Sequence, residues 1–260
     1  MVELNPGLLQ RSPMVSRWRA AAIHLCASAA IAAIVVWTML KIWYPSPFFE
    51  ALGGTRLIAL IVGVDVVLGP LITLIVFDVK KKSLRFDLAV VVLLQLAALG
   101  YGVHIAFQAR PVYLLFVKDR FEIVTANQLE PEQLAKVTRP EFKTVPFSGP
   151  WTAAADLPTD PKELLMLQML AISARADVQL FPQYFVPYFE RNGLVLSKGR
   201  SLDRFEAEVP KSRSVIEKAL VEAGRKPAEV LVLPLYIKER NLAVIVGADV
   251  ANVIDVVLVD

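Results

Sequence analysis

The sequence predicts a membrane protein with three transmembrane α-helices followed by an α+β domain. Three observations carry this. Of the 260 residues, 55% are hydrophobic, and the mean hydropathy is +0.52, too apolar for an ordinary soluble chain. The excess is confined to three long apolar runs between residues 20 and 107, and residues 108 to 260 have the mixed texture of a globular domain.

The first run, Ala20 to Trp43, has a single charge near its end, Lys41. At about 1.5 Å per residue it crosses a hydrocarbon core about 30 Å thick. Trp18, Trp37, Trp43 and Tyr44 lie at or near its ends, where amphipathic rings favour the headgroup layer. A cleavable signal peptide is the rival reading because Arg17 and Arg19 resemble a charged leader; the run is too long for it, and no small-x-small site precedes YPSPFF. The second helix is expected over 57–77 and the third over 86–107.

Orientation follows from the short flanks. Arg11, Arg17 and Arg19 precede the first helix, and Lys80, Lys81, Lys82 and Arg85 fill the turn between the second and third. Only Lys41 and Arg56 flank the loop between the first two. Basic residues mark the cytoplasmic side, so residues 1–19 are expected there, 20–107 in the membrane, and 108–260 exported. Residues 1 to 107 carry 9 basic and 5 acidic side chains, and residues 108 to 260 carry 19 and 20. The basic excess therefore lies where topology requires it, and no nucleic-acid surface is indicated.

Cys26 is the single cysteine, and His24 and His104 are the only histidines, all three inside or at the ends of the apolar runs. The exported part therefore offers no disulfide of its own, no Cys or His metal ligand, and no Ser-His or Cys-His nucleophile pair. Ser197 beside Lys198 is a formal dyad, but adjacency in a basic loop does not make one. No catalytic residue, metal ligand or cofactor site is assigned.

In the exported part, VYLLFV and FEIV separated by KDR read as a β-hairpin. PEQLAKV and DPKELLMLQMLAISARADV read as helices, the second with Asp160 as N-cap, Pro161 as its first residue, and Leu164, Leu165, Leu167, Leu170 and Ala171 at helical spacing. KSRSVIEKALVEAGRKP reads as a helix with a stripe of Val215, Ile216, Leu220 and Val221 and a stop at Gly224. The last 33 residues hold three β-branched runs.

Two exported stretches are candidates for contact with a partner. FPQYFVPYFE, 181–190, has five aromatics and two prolines, among them Tyr184, Phe185 and Tyr188. Such rings suit an apolar interface, although filling the domain core or the seam with the membrane is the preferred reading. The loop YPSPFFEALGG between the first two helices either touches a partner or lies in the interface.

Within the membrane, Asp65 interrupts LIVGVDVVLGPLITLIVF. It lies about 12 Å below the outer end of the second helix, and Gln95 about 13 Å above the inner end of the third, so the two meet near the midplane. His24 lies too close to the cytoplasmic face to be its natural partner. An isolated carboxylate there costs about 3 kcal/mol on insertion scales, so Asp65 is expected to face the bundle. Helix-to-helix glue, with Gly63 and Gly69 allowing close approach and Pro70 a kink, is the leading reading. Contact with a partner comes second and a proton relay last.

SRWRAAAIHL, VGVDVVLGPLITLIVF, RFDLAVVVLLQLAALGYG, QARPVYLLFVKDRFEIV, FPQYFVPY and VLPLY together resemble the type IV pilin accessory proteins of the TfpX/TfpZ kind, from about Ser16 to the C-terminus. Residues before Ser16 fall outside the resemblance, and Met14 is a candidate start that an N-terminal peptide read by mass spectrometry settles. The resemblance implies a non-enzymatic, chaperone-like protein of the bacterial inner membrane with a periplasmic C-terminal domain. The type IV major pilin is its implied partner, alongside membrane lipid and other pilus assembly machinery. It implies no catalytic residues. Asp65, Gln95, Tyr184, Phe185 and Tyr188 are the candidate partner-binding residues; a membrane-anchored periplasmic enzyme or an envelope sensor is the alternative.

Overall fold

Long apolar runs form helices because no other local structure satisfies the backbone away from water. In the computed structural model, which describes residues 16–174, 178–237 and 240–259, the three apolar helices are Arg17–Trp43, Gly54–Val76 and Leu84–Gln108. Each begins two or three residues before its expected start, because the first turns are polar (Arg17, Thr55, Arg85) and hydropathy undercounts them. All three are long enough to cross a membrane. Ile34, Ile75 and Leu93 remain 66, 72 and 68% exposed, an apolar surface suited to lipid. The N-terminal expectations, apart from residues 16–19, and the candidate start at Met14 lie outside the described residues.

The chain divides into two compact units: residues up to Trp37 with Thr55–Ile105, and Thr38–Gly54 with the chain from Ala106 onward. Among the described residues the second unit is built on a seven-stranded sheet whose strands, β1 (Pro111–Val117), β2 (Arg120–Thr125), β3 (Trp151–Ala155), β4 (Phe185–Pro187), β5 (Val230–Ile237), β6 (Arg240–Gly247) and β7 (Val253–Leu258), lie in the order β4-β3-β1-β2-β5-β6-β7. The expected hairpin is β1 (Pro111–Val117) and β2 (Arg120–Thr125), paired antiparallel with Val117 opposite Arg120. Its turn is Lys118–Asp119, with Lys118 at φ 59°. The last three runs are β5 (Val230–Ile237), β6 (Arg240–Gly247) and β7 (Val253–Leu258), an antiparallel meander.

Two strands were not anticipated. β3 (Trp151–Ala155) runs parallel to β1, and β4 (Phe185–Pro187) is antiparallel to β3. β3 is alanine-rich, a composition with weak strand propensity, and its small side chains allow dense packing beside β1, every residue of which is buried. Leu114 and Phe116 face one core with Phe121, Leu233, Leu235 and Val244. Tyr113, Leu115 and Val117 face another with Phe142, Leu167 and Phe185, the alternation expected of a strand.

The helix Pro161–Ala174 starts as expected, with the Lys162 amide donating to Asp160 Oδ1 at 2.8 Å. The helix Ser212–Glu222 also forms, closed by Gly224 at φ 63° with the Arg225 amide donating to the Leu220 carbonyl at 2.9 Å. Its stripe differs from expectation. Ile216, Ala219 and Leu220 are buried on the sheet, whereas Val221 is 79% exposed and Val215 37%. Ala219 sits between Ile216 and Leu220 on the packed face, and that geometry turns both valines outward.

The loop between the first two apolar helices belongs to the sheet-bearing unit. Its short helix Phe48–Ala51 places Phe48 and Ala51 in the core of Leu114, Phe116 and Phe121. Glu50 forms an ion pair with Arg240 at 3.1 Å.

Candidate functional site

The local structure around Asp65 follows from Pro70. Proline offers no N–H, and its ring clashes with the carbonyl four residues earlier. The second helix responds with a π-helical segment, Gly63–Leu68, in which the Gly69 amide donates to the Val64 carbonyl, five residues back. In that register the donor for the Asp65 carbonyl would be residue 70, which is proline, so this carbonyl is left without a backbone partner. Gln95 of the third helix supplies one, its Nε2 donating to the Asp65 carbonyl at 3.3 Å. A Cβ at position 69 would overlap the Gln95 amide, so glycine there is what admits Gln95. Position 63 has open space around it, so only Gly69 serves the close approach. Gly102 is a further tight point, where a Cβ would stand 3.2 Å from Ile61.

Asp65 and Gln95 therefore meet, through main chain rather than through the carboxyl. The Asp65 side chain is buried at 6% exposure and has no hydrogen bond or ion pair to any described residue. It lines a cavity of about 160 Å³. One wall is His24, Ala27, Ser28 and Ile31, which share a face of the first helix, and the other is Val92, Gln95, Leu96 and Leu99, which share a face of the third. His24 Nδ1 and Thr73 Oγ1 share a 2.6 Å hydrogen bond, so His24 pairs with a buried threonine and not with Asp65. Gln95 Oε1 is buried without a donor among the described residues. The arrangement is a small, mostly apolar cavity that holds two unmet acceptors, the Asp65 carboxyl and Gln95 Oε1, between helices otherwise fit for lipid. Asp87, at the start of the third helix, pairs with Lys81 and accepts from Ser83 Oγ at 3.3 Å.

The aromatic segment 181–190 divides. Phe185 is 1% exposed and stacks edge-on with Tyr113 and Phe142 at 5.5 and 5.8 Å, so its ring presents no surface. Tyr184 donates to Glu163 Oε2 at 3.4 Å and lines a cleft with Phe181, Met166 and Leu170; burial, then Glu163, raises its hydroxyl pKa. Tyr188 donates to the Ala251 carbonyl at 2.6 Å, and burial raises its hydroxyl well above the usual phenol range. It borders a second cleft with Trp151 and Phe189, which are 61 and 71% exposed. The segment thus supplies core on one side and two clefts on the other, the one at Tyr188 mostly apolar and the one at Tyr184 of mixed lining with Gln133, Lys136 and Glu163. Ser197 donates to the Leu194 carbonyl at 2.7 Å within its own helix.

Sequence reasoning missed the junction at the end of the third helix. Arg110, 3% exposed, donates through Nε to the Phe147 carbonyl at 3.1 Å, through Nη2 to Pro146 at 2.6 Å, and through Nη1 to Phe107. Its guanidinium lies 3.6 Å over the Phe107 ring. Tyr44 donates to the Ala106 carbonyl at 2.7 Å, and burial pushes its hydroxyl up to about 12, which keeps it a donor. Burial lowers the Arg110 pKa from its usual value, opposed by Tyr44. Trp43, Phe107 and Phe147 pack around this point, with Trp43 and Phe107 at 5.1 Å. Two terminal carbonyls of an apolar helix are thereby satisfied, one of them by a cation. The one sequence cue was Arg110 directly after an apolar span.

Comparison with known proteins bears on these features. The family described as fimbrial assembly protein FimB matches residues 12–53, the first helix and the loop built into the domain core. A fimbrial assembly protein of serogroups C1 and C2 from Dichelobacter nodosus is 32% identical over 114 residues, which is 43% of this chain and 87% of that protein. The chain belongs to the fimbrial assembly protein family. Family membership agrees with the resemblance to pilin accessory proteins drawn from the sequence. The serogroup I protein of the same organism is 33% identical over 129 residues, 49% of this chain and 50% of that protein. The chain thus spans about half the length of the curated relatives it matches first. No solved structure shows a significant match.

Proposed function

We propose that this protein is a non-enzymatic, chaperone-like accessory factor of the bacterial inner membrane that assists type IV pilus assembly or dynamics through its cognate major pilin. Membership of the fimbrial assembly family supports the process. The observation that carries the mode of action is Asp65, a carboxyl buried among three apolar helices with no partner among the described residues. Intramembrane acidic groups are disfavoured unless something uses them, and a partner's membrane helix fits that requirement.

Topology is supported by the fold. The loop after the first helix and the domain after the third share one core, so both lie on the same side of the membrane. The basic Arg17, Arg19, Lys80, Lys81, Lys82 and Arg85 lie at the other ends of the helices, which supports a cytoplasmic side for those ends. These observations support a periplasmic sheet domain. In this reading the helices, through Asp65 and Gln95, hold or release the pilin helix. The clefts bordered by Tyr184 and Tyr188 meet its globular part, with Phe185 supporting both from the core.

The test is photocrosslinking in cells expressing the cognate pilin, with probes at Val66, beside Asp65, and at Tyr184. Adducts with pilin at Val66 are expected. Adducts at Tyr184 alone reduce the helices to an anchor, and adducts at neither position remove pilin as the partner.

A further inference from the structure

We infer that the cavity beside Asp65 is a binding site for a primary ammonium group carried into the bilayer on a partner's membrane helix. This rests on the reading that the helices receive such a partner. The cavity holds about 160 Å³, and two acceptors on it, the Asp65 carboxyl and the Gln95 amide oxygen, lack a donor among the described residues. The Asp65 carboxyl, 6% exposed, meets no donor among the described residues. Gln95 uses its Nε2 on the Asp65 carbonyl and leaves Oε1 buried without a donor among the described residues. Ser28, 8% exposed, adds a hydroxyl oxygen from the first helix. The basic group at hand, His24, is hydrogen-bonded to Thr73.

The chemistry that completes this set brings several donors and a positive charge in a small volume. An ammonium has three donors, no acceptor and a compact charge, matching three acceptor groups, a carboxyl, an amide oxygen and a hydroxyl, one from each helix. A hydroxyl brings one donor and no charge. A guanidinium spreads five donors over a rigid plane and suits a flat carboxylate face better than a small cavity. A lipid headgroup amine is too shallow: Asp65 lies eleven residues from Gly54 at the helix end, roughly 16 Å at the helical rise.

The test uses the full chain purified in detergent, with n-butylammonium and the neutral isostere n-butanol as probes of the cavity and the thermal unfolding midpoint as the readout. Butylammonium is expected to raise the midpoint by roughly a few degrees, the response of a ligand that binds only the folded state, and butanol to leave it in place. Asp65→Asn, which keeps the shape and removes the charge, is expected to abolish the difference between the probes; Gln95→Leu is expected to reduce it. An equal response to both probes, or a difference that persists in Asp65→Asn, overturns the proposal and leaves the cavity to water or lipid chains. This outcome is separable from failure of the pilin reading, which the Val66 crosslink reports independently.

Discussion

Two buried ionisable residues, one in each unit, make opposite use of burial. Arg110 is 3% exposed and Asp65 is 6% exposed, so both lack the water that ordinarily stabilises a charge. Arg110 lies among three carbonyls and an aromatic face. Asp65 faces a cavity with no donor among the described residues. A buried polar group whose bonds are all made within its own chain is a structural part. One left unmet is a cost to stability that points to a ligand. The comparison therefore separates what holds this molecule together from what it offers to another, and substitution at the two positions should move stability in opposite directions.

The largest effect is expected at Arg110. Arg110→Met keeps much of the side-chain volume but leaves the Pro146, Phe147 and Phe107 carbonyls short of a donor. Each buried unsatisfied group costs about 1–3 kcal/mol, so a loss of about 4 kcal/mol is expected. Denaturant unfolding of the purified full chain, followed by near-ultraviolet circular dichroism, measures it. A loss under about 1 kcal/mol would place Arg110 with the surface cations and dissolve the contrast.

Next comes Asp65→Leu, for which the sign reverses. Replacing an uncompensated buried polar group with an apolar one of similar size is expected to stabilise the chain by about 2 kcal/mol while abolishing surface pili in a complementation assay. Destabilisation would show that the carboxyl is an internal strut after all and return it to the role of helix-to-helix glue.

How far each half of this contrast was legible in the sequence follows from the physics involved. The three apolar helices and the meander β5 to β7 announce themselves by run length and β-branched composition. Depth counting alone brings Asp65 and Gln95 to one level. The recipient of the Gln95 bond was hidden because it depends on a change of helical register, yet the spacing of five between Asp65 and Pro70 is its signature: a π-turn ending on proline orphans that carbonyl. β4 has three residues, too few for any periodicity, and β3 is mostly alanine. Arg110 looks in the sequence like any basic residue flanking a membrane helix. Its burial is decided by Pro146 and Phe147, more than thirty residues away, and long-range closure of that kind leaves no local pattern.

The smallest and sharpest test lies at the bond that joins the second and third helices. Gln95→Leu removes the donor to the Asp65 carbonyl and is expected to cost about 1 kcal/mol, the usual value of one interhelical hydrogen bond in a membrane protein. Gly69→Ala reaches the same bond from the other side, since the added methyl occupies the position of the Gln95 amide and forces it away. If the bond exists as described, the double variant destabilises by no more than the larger of the two single changes, because each removes the same interaction. Additive losses would mean that Gly69 serves packing unrelated to Gln95, and the close approach around Asp65 would then be a steric accident of the helix crossing.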